Sequence, residues 1–252
     1  MNIKILPDIP EKLLTEIYSD LAKPGVQQIG KALGGILSVL NIPTIPFKLL
    51  NESGEIWLSA NLEKYRLKMS QINASDVTPA LPEIAIPIIE KLSYTTCEEL
   101  VEMYTSLLKN ASNNNGVQFA HPSFVSTISM LSKDEALILE DAYQEKLFES
   151  IHITQTFQDG RYTTPITIYT RYYSDERLLF PKNDSIYFEN LVKLGLMYNS
   201  GGKLTRGNYT TLKELFNPIL SSLRTADTVN LEITERHFGL TSLGKLFIKS
   251  VH

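Results

Sequence analysis

The chain has 252 residues, 43% apolar and 21% charged, a globular balance with material for one large core or two moderate ones. Its formal charge of −4 divides into 10 basic and 13 acidic side chains over residues 1–118, and 14 and 15 over residues 119–252. Neither half is a basic domain, which argues against nonspecific affinity for nucleic acid, because that affinity rests on neutralising phosphates. A single cysteine, Cys97, excludes an intrachain disulfide and argues against a cysteine-based zinc site. The amino terminus carries no apolar signal core, so a reduced, cytoplasmic protein is expected.

Residues 8–22 place Leu13, Leu14, Ile17 and Leu21 at helical spacing. Pro24 suits the first turn of a second helix, which runs through Val26, Ile29, Leu33, Ile36 and Leu40 and stops before Pro43. Residues 56–72 form a longer candidate, with Trp57, Leu58, Leu62, Tyr65, Leu67 and Met69 as its apolar members. Pro79, Pro82 and Pro87 then mark a linker and a short helix over 83–92. Thr96 with Glu99 three residues later reads as a capping box that opens the next helix. The polar run from Asn110 to Gly116 ends that helix.

From His121 the texture changes. His121-Pro122-Ser123-Phe124-Val125 starts a short helix, and Ser132-Lys133-Asp134-Glu135 is a second capping box ahead of another. Strand-like stretches follow over 151–157 and 166–169, separated by Asp159-Gly160. Residues 185–194 predict a compact helix closed by Gly195, then a short strand over 196–198 and a turn at Gly201-Gly202. A helix over 211–223, despite Pro218, a strand over 230–236 and a helix over 240–248 complete the chain.

The pattern Leu194-Gly195-Leu196-Met197, hairpin, Leu240-Thr241-x-x-Gly244-x-x-Phe247 resembles the end of a winged-helix domain. Gly195 lets a helix turn straight into a strand, and Gly244 lets the closing helix sit close while Phe247 buries its ring. Two departures stand out. Strands occupy the place of the usual extra helix before residue 185, and residues 203–229 are long for a simple wing.

The expected fold is therefore mainly α with a smaller α+β part. An N-terminal helical assembly over residues 1–118 precedes a winged-helix-like C-terminal domain over residues 119–252, with the boundary at 115–121.

Two stretches carry a family resemblance: His121-Pro122-Ser123-Phe124-Val125 with Leu131-Ser132-x-Asp134-Glu135-Ala136-x-Ile138-Leu139, and Glu189-Asn190-Leu191-x-x-Leu194-Gly195-Leu196. With Gly30-Lys31-Ala32-Leu33-Gly34 and Phe47-Lys48-Leu49-Leu50-Asn51, they resemble the bacterial abortive infection alpha family over roughly residues 20–200. The resemblance implies a role in defence against bacteriophage and brings no catalytic residues with it. His121, Pro122, Ser123, Phe124, Asp134 and Glu135 are its signature residues, and a structural role is expected for them.

Other chemistry is thinly signalled. A His121–Ser123 pair suggests a nucleophile and base, but helix initiation explains the same residues. Cys97 lies near a helix start, where a dipole lowers a thiol pKa, yet a small half-buried apolar role accounts for it equally. His152, His237 and His252 have no i, i+4 partner, so no metal is expected. Gly201-Gly202-Lys203-Leu204 lacks the Walker spacing and Gly30 to Gly35 lacks a dinucleotide fingerprint, so no cofactor is expected.

For DNA, the helix at 185–194 would be the reader through Ser185, Glu189, Asn190 and Lys193, with Lys203, Arg206 and Lys213 as further phosphate contacts that Glu214 offsets. Residues 32–47 are uncharged but short of the roughly 20 residues of a spanning helix and broken by Pro43 and Pro46, which leaves surface association through residues 32–50. Three readings follow: a non-enzymatic phage-defence component working through a protein partner or self-association, a DNA-binding regulator, and a membrane-surface effector.

Overall fold

The computed structural model describes residues 31–32, 52–144, 147–161, 167–224, 226 and 228–252. The helix expected over 8–22, the one expected over 24–40 except for the helical Lys31 and Ala32, and the 32–50 segment except Ala32 lie outside the described residues. The chain is mainly helical with a small antiparallel sheet. It divides into two compact units: one ends at Leu131 and takes in Lys249–His252, the other is Ser132–Ile248.

In the first unit, α1 (Glu52–Met69) buries Leu58, Asn61, Tyr65 and Met69, a three- and four-residue spacing that makes one helical stripe. Asn61 answers the unpaired carbonyls where α2 ends, donating Nδ2–H to the Leu92 oxygen at 2.8 Å and the Thr95 oxygen at 3.2 Å. α2 (Pro82–Leu92) starts on a proline and buries Ile84, Ala85, Ile88, Ile89 and Leu92. α3 (Glu98–Ala111) buries Val101, Tyr104, Leu108 and Ala111 on one stripe. The short α4 (Ser123–Ser129) adds Phe124, Val125 and Ile128.

One start signal fails. The N-cap of α3 is Cys97, not Thr96, and it has no side-chain cap bond. The Cys97 carbonyl already accepts the Val101 N–H at 3.0 Å, and its thiol lies 3.3 Å from Glu99 Oε2, so the helix begins one residue later than a Thr96 box requires.

The second unit opens on α5 (Lys133–Gln144), followed by β1 (Leu147–Phe157) and β2 (Thr167–Thr170). Two 3-10 turns, Arg171–Ser174 and Pro181–Asn183, then lead into α6 (Asp184–Lys193), followed by β3 (Met197–Ser200), α7 (Tyr209–Leu223), β4 (Thr228–Leu240) and α8 (Ser242–Val251), whose last residues from Lys249 count with the first unit. The strands run antiparallel in the order β2-β1-β4-β3. β1 pairs with β4 from Leu147↔Gly239 to Thr156↔Asn230, with a bulge before Phe157.

Both faces of this sheet are covered. On one face Ile151 and Ile153 meet Tyr209, Leu212, Phe216 and Leu220, the apolar stripe of α7. Pro218 lies on the exposed side of that helix, where water can satisfy the carbonyl it leaves unbonded. The other face is aromatic: Phe188 of α6 packs 4.6 Å from Phe238 and 5.9 Å from Phe148 between ring centroids, with Tyr172 5.8 Å from each of Phe148 and Phe188. β1 begins four residues before the stretch expected over 151–157, and it is buried on both faces. Residues 148, 150, 151, 152 and 153 are all buried.

The expected closing motif is held by specific contacts. Gly195 takes φ 72°, the Gly195 N–H reaches the Val192 oxygen at 2.9 Å, and the Leu196 N–H reaches the Leu191 oxygen at 3.0 Å, which together terminate α6. Thr241 caps α8 by accepting the Gly244 N–H at 2.9 Å, and its hydroxyl donates to the Gly195 oxygen at 2.5 Å. A Cβ on Gly244 would sit 2.0 Å from the Leu196 oxygen. Gly244→Ala should therefore lower the unfolding free energy by about 1–3 kcal/mol, read as a lower denaturant midpoint. Gly201→Ala, with open space around the new methyl group, should leave the midpoint within about 0.5 kcal/mol of the parent.

Candidate functional site

The capping box at Ser132 forms as expected. The Ser132 N–H and Oγ–H both donate to Glu135 Oε2, at 2.6 and 2.8 Å, and the Glu135 N–H returns to Ser132 Oγ at 3.3 Å. That start aims the first turn of α5 at the segment running from residue 171 to residue 193. Asp134, 1% exposed, accepts the Leu179 N–H through Oδ1 at 2.8 Å, and the Phe180 N–H and Tyr187 hydroxyl through Oδ2 at 2.9 and 2.6 Å. Glu135 uses its other oxygen, Oε1, to accept from Asn190 Nδ2 at 2.7 Å. Two adjacent carboxylates thus grip a loop and the helix behind it.

The gripped loop is unusual in what it exposes. Leu179 and Phe180, whose backbone N–H groups feed the buried carboxylate, are 61% and 64% exposed, and Ile186 on the first turn of α6 is 60% exposed. Withdrawing a carboxylate from water is expensive unless donors replace the lost hydration. Here the replacement donors come from a backbone that presents apolar side chains to solvent.

Further carboxylates hold the same segment. Asp184 accepts the Thr170 N–H and hydroxyl through Oδ2 at 2.7 and 3.0 Å, and the Ser185 N–H through Oδ1 at 2.8 Å. Burial pushes its pKa up to about 7, against these hydrogen bonds. Asp141 accepts from the Tyr172 hydroxyl at 2.9 Å and from Arg177 at 2.6 Å, and Arg177 also reaches Asp175 at 2.7 Å. The Arg177 hydrogen bonds hold both of these carboxyls below their usual range. The Arg171 guanidinium lies 5.6 Å from the Phe148 ring centroid and 5.1 Å from that of Tyr172.

The structure scatters the remaining candidates. His121 and Ser123 are exposed, with Nδ1 2.7 Å from the Ser123 hydroxyl and accepting the Ser123 N–H at 3.2 Å, while Phe124 is buried in the first unit. Pro122 is the N-cap of α4. Lys193 and Arg206 are exposed. Lys203 and Lys213 both pair with Glu235, at 3.3 and 2.7 Å. Asn190, a member of the proposed reading face, is occupied by Glu135. Burial pushes the Cys97 thiol up rather than down, and the neighbouring Glu99 adds to the rise. Among the described residues no group of three or more His, Cys, Asp or Glu is arranged to hold a metal.

One histidine sits in the sheet itself. His152 is 2% exposed, its Nε2 3.2 Å from the Ser150 hydroxyl and its ring stacked on Phe238 at 6.2 Å. Burial, with Arg236 nearby, lowers its pKa to about 4.

Sequence reasoning picked out Asp134 and Glu135 but missed Leu179, Phe180, Ile186, Asp141, Arg177 and Asp184. The only signal for the loop was its run Leu178-Leu179-Phe180-Pro181, apolar residues with neither helical nor strand periodicity.

A model of the family described as abortive infection alpha matches residues 58–251. The chain belongs to the abortive infection alpha family. The matched span contains Asp134, Glu135 and the whole segment they hold, and membership assigns the chain a role in abortive infection, a defence against phage. Neither a curated protein nor a solved structure matches the chain.

Two measurements test this site. Asp134→Asn keeps the size but turns an NH2 group toward donors, and should cost about 1.5–3 kcal/mol and speed amide exchange at Leu179 and Phe180. Unchanged exchange there would show that the carboxylate does not hold the loop. The second measurement concerns pH. Asp184, raised when folded, adds stability that is complete below pH ~4 and is lost as pH rises through about 7. His152, lowered when folded, adds stability present above pH ~6.5 and lost as pH falls through about 4. The two slopes oppose each other between those limits. Asp184→Asn should therefore steepen the loss of stability on acidification, measured as denaturant midpoints from pH 4 to 7.5.

Proposed function

We propose that this protein is a phage-defence component that acts without catalysis, through protein contacts made by the loop around Leu179-Phe180 and the exposed face of α6. The observation that carries the reading is the buried Asp134 carboxylate, whose hydrogen bonds fix a loop that exposes two large apolar side chains. Ordinary surface loops need no buried anion to hold them. An apolar tip fixed in this way fits a contact site, where a rigid anchor reduces the ordering cost of binding.

The same reading takes residues 132–248 as a winged-helix-like contact module. Its support is the order of elements: helix α5, strand β1, helix α6, then β3 and β4, with β1 beside β4 and β3 beyond it. β2 and the two 3-10 turns stand where the usual extra helix would be, and α7 fills the long connection between β3 and β4. A single free cysteine fits a reducing, cytoplasmic setting.

A DNA-binding version is the second reading, favoured by the same element order. Against it, the exposed face of α6 centres on Ile186, Asn190 is spent on Glu135, and Lys203 is paired with Glu235. The membrane reading rested on residues 32–50. No helix among the described residues is long and apolar enough to cross a membrane.

The deciding experiment compares cells carrying the parent gene with cells carrying Leu179→Ser/Phe180→Ser, challenged with a phage the parent restricts. The double substitution should raise plating efficiency by about tenfold or more, the scale of a lost interaction worth roughly 1.4 kcal/mol, while the melting temperature stays unchanged. Full protection by the folded double variant would sink the contact reading. Retention on DNA at low salt that weakens with Lys193→Ala or Arg206→Ala would favour the regulator instead.

A further inference from the structure

We infer that the occupant of this face is a second copy of the same chain, paired through α6 about a twofold axis; the inference rests on the contact reading above and names its partner. Ile186, Glu189 and Lys193 recur at three- and four-residue spacing, and all three are exposed, so they form one outward stripe. Lys182, exposed in the 3-10 turn that runs into the helix, extends the stripe toward the loop. Along it the order is cation, apolar, anion, cation. Among the described residues neither Lys182 nor Lys193 has a salt-bridge partner. The Ser185 hydroxyl lies 3.3 Å from Glu189 Oε1, across one turn of the helix.

A twofold contact is self-complementary: the patch must attract its own copy when turned end over end. In an antiparallel crossing centred beside Ile186, Lys182 of one copy faces Glu189 of the other, and the symmetry repeats that pair on the far side. The two Ile186 side chains meet at the centre. Lys193 of each copy then lies beside the Leu179-Phe180 tip of the other, where an ammonium group can rest on the Phe180 ring. A crossing moved about half a turn toward the end of the helix opposes Lys182 to Lys193 and is repulsive, so the charge order selects a register as well as a partner. Asp134 keeps the tip in place in the free chain, so little ordering is left for association.

The test is the mass of the full chain in solution at tens of micromolar, by sedimentation or light scattering, with circular dichroism and melting temperature as checks on folding. The parent should be a dimer. Lys182→Glu alone and Glu189→Lys alone should each be monomeric, because each places like charges opposite one another twice. An equimolar mixture of the two should recover a dimer, since every opposed pair is then of opposite sign, and no folding defect is repaired by mixing. Ile186→Asp should be monomeric and not rescued by either partner.

A monomeric parent, a dimer indifferent to both charge reversals, or two folded single variants that fail to dimerise on mixing would each overturn the pairing. The two claims fail separately. A monomeric parent whose protection is lost in Leu179→Ser/Phe180→Ser ends the pairing and leaves the contact reading standing with another protein. A dimer that still protects after that double substitution ends the contact reading and leaves the pairing.

Discussion

A carboxylate withdrawn from water must find donors inside the protein, and the donors Asp134 finds decide how residues 171–193 are held. Its partners are two backbone N–H groups from one loop and a tyrosine hydroxyl from the following helix. None of the three is near it in sequence, so the bond set closes loops of about 45 to 53 residues. Glu135 repeats the arrangement one residue on, with one oxygen in the local capping box and the other on Asn190. The start of a single helix is thereby the anchor of a loop, a 3-10 turn and a second helix. Because the anchor is ionic and buried, half-made versions of it are costly, which favours one arrangement of the loop over many.

The sheet behind this anchor is unusual for its size in being covered on both faces. An α7 stripe seals one side and an aromatic group from β1, β4, α6 and the first 3-10 turn seals the other. Burying both faces brings polar residues of β1 inside, and each has its own consequence. Ser150 and His152 satisfy one another while the imidazole is kept neutral, and Gln155 ties the strand to the end of α7 through the Leu223 oxygen at 2.7 Å. Asp184 and His152 are displaced in opposite directions from their ordinary titration ranges. The unit therefore carries two buried groups whose acid responses offset each other, rather than one group poised to switch.

This arrangement bears on what an abortive infection alpha protein is equipped to do. The buried or half-buried carboxylates Asp134, Asp141, Asp175 and Asp184 hold the unit's own backbone and Arg177, and in the exposed His121–Ser123 pair the imidazole accepts the Ser123 N–H at a helix start. Among the described residues, the same segment offers solvent an apolar tip, Leu179 and Phe180, beside a helix stripe of Ile186, Glu189 and Lys193. In the contact reading proposed above, that tip is the anchor and the order of charges sets which partner is accepted.

The sequence by itself determined the local starts and stops. The Ser132–Glu135 box, the Gly195 terminator and the Thr241–Gly244–Phe247 closing helix are legible because each depends on residues within a few positions of one another. At Thr96 the local signal misled, because the helix starts one residue later, at Cys97, without any side-chain cap bond. The family was legible too, through short runs around His121, Asp134 and Asn190. The meaning of those runs was not: a buried Asp and an exposed Asp look alike in sequence, and Leu179 and Phe180 look like core. Only the tertiary structure decided that Asp134 goes inside and the two apolar side chains go out. Its partners lie 45 to 53 residues away, beyond the reach of any periodicity or cap.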